Sequence, residues 1–209
     1  MKQINQFITE YIVKKKLDKP IDSEDHYDYY PETKDELIKV IQMLLGKGET
    51  DLNCIDTSKI TDMSGLFTYN IFNELVFDVS EWDVSNVKDM KSMFSRCIKF
   101  NCDLSNWDVS NVKDMSYMFY NCGNFDCDLS NWDLSKVTNM YTMFEGCSKF
   151  KGKGLENWNV SKVENISYMF FDCINFDCNL SNWNVNNVKN MERMFYNCNL
   201  KNTPKWYKE

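Results

Sequence analysis

The apolar residues of this chain recur in fixed columns along its length. Tryptophan stands at Trp82, Trp107, Trp132, Trp158 and Trp183, at spacings of 25, 25, 26 and 25. Three more columns keep the same step: Met90, Met115, Met140, Ile166 and Met191; Phe94, Phe119, Phe144, Phe170 and Phe195; Cys97, Cys122, Cys147, Cys173 and Cys198. Written once from Leu104, the unit reads LSNWDVSNVKDMSYMFYNCGNFDCD. A degenerate earlier copy starts at Leu52, with Ile55 in the tryptophan column and Leu66-Phe67 in the Met-Phe column. About six coils are therefore expected.

Within one unit the apolar spacing changes. Leu104, Trp107 and Val109 follow an L-x-x-L-x-L pattern, which predicts the short strand of a leucine-rich repeat. Val112, Met115, Met118 and Phe119 then advance by 3, 3 and 1, which predicts a helical or 3₁₀ turn with its apolar face inward. One coil cannot bury its own apolar side, so neighbours must stack, with strands paired at ~4.8 Å per coil. The expected fold class is an α/β repeat. It is a leucine-rich-repeat-like solenoid of about six ~25-residue coils, with a parallel sheet on one face and an N-terminal helical cap.

Residues outside the array predict the cap. Ile4, Phe7, Ile8, Tyr11 and Ile12 give residues 1–17 the spacing of an amphipathic helix that docks on the domain. Residues 18–32 form an acidic, tyrosine-bearing link. Thr33 and Glu36 make a T-x-x-E capping box, Leu37, Val40, Ile41, Leu44 and Leu45 a buried face, and Gly46 a stop. The expected division is residues 1–50 as helices and linker, 51–200 as the array and 201–209 as a tail. In that tail Pro204 and Trp206 interrupt the pattern and close the stack.

Composition narrows the function. The chain has 209 residues, 43% hydrophobic and 26% charged, which are ordinary globular values. No apolar run approaches the ~20 residues of a membrane span. No export signal is visible after Met1, so the expected compartment is the cytoplasm. The net charge of −7 disfavours direct binding of nucleic acid. That charge sits in residues 1–81, with 16 acids and 9 bases, while residues 82–198 hold 14 and 12. The acidic segment either meets a basic partner surface or is a solvated linker.

The candidate chemistry is thin. Nine cysteines include three C-x₄-C pairs, Cys97/Cys102, Cys122/Cys127 and Cys173/Cys178, but a column filled in five successive coils reads as small buried hydrophobes rather than zinc ligands. His26, the one histidine, lies in the linker, and no repeat supplies an imidazole base. No catalytic residue, metal or cofactor is expected.

The W-D-V-S-N-V-x-D-M-S-Y-M-F repeat resembles that of the BspA-like leucine-rich-repeat surface proteins of bacteria. The lead-in from Tyr30 to Ile38, and then from Asp51 to Ser58, is similar to the cap of such arrays. The resemblance spans roughly residues 30–200. It implies protein–protein interaction or adhesion at a cell surface and carries no catalytic residues.

Partner-facing positions are expected between the apolar strand positions. These are Asn106, Asn131, Asn157 and Asn182, with Asp83, Asp108, Asp133, Asn159 and Asn184. Such uniform columns equally suit hydrogen bonding along the ladder. Variable positions are better recognition candidates: Tyr117, Tyr141 and Tyr168, set against Lys91, and the insertion Lys151-Gly152-Lys153-Gly154. The expected function is non-catalytic binding of a protein partner through the array surface. The alternatives are an inhibitor occluding the basic groove of a nucleic-acid-processing enzyme, and an adhesin-type surface protein. Self-association through an exposed stack end is a further expectation.

Overall fold

A computed structural model describes residues 27–68 and 73–208. The helix expected over residues 1–17 lies outside these, as does most of the acidic link.

One α-helix is present among the described residues: α1, Lys34–Gly46. Thr33 is extended and its hydroxyl accepts the Glu36 amide at 3.3 Å. The Glu36 carboxylate accepts in turn from the Glu32 amide at 2.8 Å, one residue earlier than a standard capping box. Leu37, Val40, Ile41, Leu44 and Leu45 are buried as the spacing predicts, and Met43 joins them. The helix ends at Gly46, the expected stop. Gly46 is still helical, whereas Gly48 takes the left-handed conformation at φ 85°. Its amide reaches Leu45 O and the Glu49 amide reaches Leu44 O, both at 3.0 Å, the bond pair that closes a helix end.

Beyond α1 the chain is a string of turns, and this overturns the expected fold class. No strand and no sheet form among the described residues, so the leucine-rich-repeat-like solenoid with a parallel sheet and a helical cap is not what this sequence builds. Neighbouring coils share isolated parallel bridges, one row running Asp62, Asp89, Asp114, Asn139, Asn165 and Asn190 and a further bridge joining Asp51 to Asp78. The physical reason lies in where each amide goes. In the coil from Leu104, the amides of Trp107, Val112, Met118, Tyr120, Cys122 and Phe125 each bond the carbonyl three residues back, at 2.9–3.2 Å. The segment predicted as a strand spends its Trp107 and Val112 amides on its own turns. The segment predicted as helical contains Tyr117 at φ 59° and Asn121 at φ 56°, which no right-handed helix admits. The only 3₁₀ segment among the described residues is Leu155–Asn157, after the insertion.

Short polar motifs set the corners. Asp103, Asp108 and Asp114 each accept the amide of the serine two residues on, at 3.0, 3.0 and 2.7 Å. In this coil an Asp-x-Ser motif thus closes an Asx turn three times and halts any extended run.

Stacking is then secured by backbone and side chain together. The amides of Met90, Ser92, Phe94 and Arg96 donate to the carbonyls of Asp114, Ser116, Met118 and Tyr120 in the next coil, at 2.6–3.0 Å. The same four bonds recur one coil later from Met115, Tyr117, Phe119 and Asn121. The tryptophan column adds a side-chain rung: the indole Nε1 of Trp107, Trp132, Trp158 and Trp183 donates to Val79, Leu104, Leu129 and Leu155 O, at 2.8–3.1 Å. The cysteine column adds another, with Cys122, Cys147 and Cys173 Sγ donating to Phe94, Phe119 and Phe144 O at 2.9–3.0 Å. Between them the rings of Phe67, Phe94, Phe119, Phe144, Phe170 and Phe195 stack at 5.4–5.8 Å. Burying these apolar columns is the main stabilising term of the stack. Trp206 continues its column instead of interrupting it. Its ring stacks on Trp183 at 6.3 Å and its Nε1 donates to Leu180 O at 2.9 Å.

The insertion is accommodated by glycine. Gly154 sits at φ 93°, and a Cβ there would lie 2.4 Å from Ser130 N and 2.6 Å from its Cα, which are backbone atoms. Gly46 is the opposite case, with no atom within 4 Å of an added Cβ and a helical backbone. Gly154→Ala is therefore expected to cost about 3 kcal/mol or more, and Gly46→Ala to stabilise by up to about 1 kcal/mol. Urea unfolding of both variants measures the contrast; shifts of the same sign would refute it.

Candidate functional site

The polar columns proposed from sequence are built into the corners. Asp83, Asp108, Asp133, Asn159 and Asn184 each accept the amide two residues on, at 2.9–3.2 Å. The Ser110 hydroxyl and amide hold the Asp108 carboxyl below the usual carboxylate range. These side chains keep one acceptor lone pair committed to the local turn. Asn106, Asn131, Asn157 and Asn182 are exposed, and Asn131 donates to Ser105 O at 3.3 Å. One Asn row and one mixed Asp/Asn row thus flank the buried tryptophans in sequence.

The tyrosines do converge. Tyr117 and Tyr141 meet edge to face at 5.1 Å, and Tyr141 and Tyr168 do so at 5.9 Å. Counting from the methionine column, Tyr141 follows Met140 directly, whereas Tyr117 and Tyr168 stand two places after Met115 and Ile166. Side chains from two register positions therefore interleave into one row. The row widens through Tyr120, which packs against Tyr117 at 5.9 Å with the Arg96 guanidinium 5.8 Å from its ring centre. It widens again through Phe171, 5.8 Å from Tyr168 and stacked on Tyr196 at 4.9 Å.

Sequence reading missed Tyr120, Phe171, Tyr196 and Arg96. The available signal was the column three residues after Ser92, which reads Ser95, Tyr120, Glu145, Phe171 and Tyr196 and varies where its neighbours do not. The strip is amphipathic. Burial, aided by a hydrogen bond to Tyr141, pushes the Tyr117 hydroxyl up to about 12. A bond at 2.9 Å to Glu192 raises the Tyr168 hydroxyl, and burial raises the Glu145 carboxyl. Tyr196 is 56% exposed at one end of the row.

The insertion makes a second, charged feature. Lys151 and Lys153 pair with Asp126 and Asp128 at 2.8 and 2.6 Å. Lys153 and Ser130 together hold the Asp128 carboxyl at about 2. These lysines are occupied by neighbours from the preceding coil.

The buried cysteines are thiols kept protonated. Burial pushes Cys97, Cys102 and Cys127 up to about 12, and Cys122 and Cys173 well above the ordinary thiol value. Among the described residues no group of three or more His, Cys, Asp or Glu is placed to hold a metal ion. No helix among them is long and apolar enough to cross a membrane.

A family model described as "Mycoplasma protein of unknown function, DUF285" matches the chain twice, over residues 38–153 and 124–207. No curated protein and no solved structure matches it.

The thiols generate a prediction with a defined sign. A folded chain that holds its thiol protons to about pH 12, against 9.0 ordinarily, keeps full stability below pH 9 and loses it as pH climbs from 9 toward 12. The urea midpoint should fall across that window, and Cys97→Ala should flatten the slope. Of the nine free cysteines, Cys54, Cys178 and Cys198 are partly exposed. A small thiol reagent at pH 8 should reach these and spare the six buried ones until urea is added. Equal labelling of all nine in the folded protein would overturn the assignment.

Proposed function

The chain belongs to the DUF285 family, and we propose that it is a non-catalytic protein-binding module whose partner docks on the tyrosine strip. The observation carrying this reading is the converging row Tyr117, Tyr141 and Tyr168, extended by Tyr120, Phe171 and Tyr196. Large aromatic side chains with a polar tip are what protein interfaces use as anchors. They bring contact area at little rotamer entropy, and each hydroxyl can bond a partner group. The row is also pre-ordered, because ring packs on ring and the backbone beneath is pinned coil to coil. Less freedom is lost on binding as a result. The resemblance to the BspA-like surface proteins, which implies interaction rather than catalysis, supports the same reading. Arg96 and Glu145 beside the rings supply opposite charges for orientation.

The test begins with the tagged full chain as bait in lysate of its source cells, washed at low and high salt. A packed aromatic interface predicts a partner that survives high salt. That partner is then titrated against Tyr117→Ala, Tyr141→Ala and Tyr168→Ala combined, with Asn106→Ala and Asn182→Ala combined as control. The tyrosine variant should bind at least tenfold more weakly, about 1.4 kcal/mol, while the control is unchanged. A partner lost at high salt, or held equally by both variants, would place the interface elsewhere.

A further inference from the structure

Each coil from Met90 to Asp172 presents its neighbour with a row of four amides aimed the same way. At the last such contact, Ile166, Tyr168, Phe170 and Asp172 donate to the carbonyls of Asn190, Glu192, Met194 and Tyr196, at 2.9–3.0 Å. The receiving coil carries the next row, the amides of Met191, Arg193, Phe195 and Asn197. These four find no acceptor among the described residues. The intervening amides are used within the coil: Met194, Tyr196 and Cys198 bond the carbonyls of Met191, Arg193 and Phe195, and Glu192 bonds the Asn190 side chain. Along this row the C-terminal end of the stack thus presents four donors, with the Lys189 carbonyl at its edge.

The opposite end behaves as the inverse. In the first coil the carbonyls of Asp62, Ser64 and Leu66 receive no backbone amide among the described residues, and a cation stands beside them. The Lys34 ammonium lies 3.1 Å from Asp62 Oδ1 and also bonds the Ser64 hydroxyl. Aligned peptide dipoles favour a cation at the carbonyl end and an anion at the amide end. The chain supplies the cation itself.

At the donor end there is room for the anion. A cavity of about 310 Å³ adjoins the amide row, lined by Met191, Glu192, Arg193, Tyr196, Tyr207 and Lys208. The Arg193 guanidinium has one loose neighbour, Glu192 at 3.8 Å, and both are more than half exposed. The Tyr207 ring is fixed against Phe195 at 5.1 Å. Residues 199–209 carry Lys201, Lys205 and Lys208 against Glu209, so this end is locally basic although the chain is not.

The run of four donors selects the occupant. An added extended strand alternates donors with acceptors along its edge and would set N–H against N–H here. A carboxylate offers acceptors alone, and its bonds to amides are charge-assisted. Four amides along one row exceed what a single carboxylate can engage. We propose that the C-terminal end of the stack docks an acidic segment of a partner protein. Its carboxylates accept from the amides of Met191, Arg193, Phe195 and Asn197, and Arg193 and Lys208 meet its charge. This site borders the tyrosine strip, sharing Tyr196 with it, but draws on different groups, the four backbone amides with Arg193 and Lys208.

The experiment uses the full chain, isotopically labelled, and follows backbone amides by NMR. In the free protein the amides of residues 191, 193, 195 and 197 should exchange with solvent far faster than those of 166, 168, 170 and 172. Protection of the first set would show that the chain fills the row itself and would overturn the proposal. A deca-glutamate peptide should shift and protect those four amides. A deca-glutamine peptide should leave them unmoved. Arg193→Gln and Lys208→Gln, each checked for unchanged spectra elsewhere, should weaken the glutamate peptide at least fivefold apiece. Equal response to both peptides, no response to glutamate, or equally tight saturation by inorganic phosphate would each defeat the acidic-segment reading.

Discussion

The structure depends on a hydrogen-bonded ladder that runs in one direction. A coil that is nearly all turns has no helix or strand to hold its shape, and its internal i to i+3 bonds fix only local corners. What aligns one coil with the next is the set of four amides, from Met115, Tyr117, Phe119 and Asn121 in one instance, that all reach forward. One backbone bond per coil runs back along the bridge row, as from Lys113 to Lys88 O. Because the four forward bonds are parallel, their register sets the overlay of every side-chain column. The phenylalanine rings stack, and the indole and thiol groups reach carbonyls one coil back. Losing one rung would leave buried polar groups without partners, which costs more than the bond itself contributes. The columns are therefore coupled to the ladder rather than merely parallel to it.

Sequence reading found the columns and misjudged the backbone beneath them, for a definable reason. Period and burial depend only on which residues return to the interior, and Trp107, Met115, Phe119 and Cys122 return on schedule in any stacked coil. Secondary structure depends on where each amide goes, which L-x-x-W-x-V does not state. The Asp-x-Ser motifs carried the missing information, since Asp108 and Asp114 close Asx turns at both sides of the predicted switch from strand to helix. In α1 the local signals sufficed, and only the left-handed residue that closes its end, Gly48, went unread. Trp206 was overlooked as a column member because its spacing from Trp183 is 23.

The candidate surface was legible in part. Tyr117, Tyr141 and Tyr168 stood out because their positions vary, and the fold brings them together. Tyr120, Phe171 and Tyr196 join them from a column that only a three-dimensional view places alongside. The uniform Asp and Asn columns illustrate the converse. A residue repeated in every coil serves something repeated in every coil, and here that is the corner. Residues that differ between coils carry whatever distinguishes one part of the surface from another.

The left-handed positions join fold and surface. Each coil needs two residues at positive φ to turn its amides forward, and glycine is the unstrained choice. Glycine fills the position at Gly65 and Gly146, yet Ser92, Arg96, Tyr117, Asn121, Thr142, Tyr168, Asp172, Arg193 and Asn197 occupy the others. Each non-glycine residue there costs on the order of 1 kcal/mol. Some of these side chains line the proposed interaction surfaces. Tyr117 and Tyr168 anchor the strip, Arg96 lies over Tyr120, and Arg193 flanks the cavity at the donor end. Substituting glycine would relax the backbone and erase those groups. From Ser92 to Asp172 the inter-coil ladder tolerates the strain because the same residue that is held in the left-handed region donates the forward bond. The backbone requirement and the exposed chemistry are met at one position.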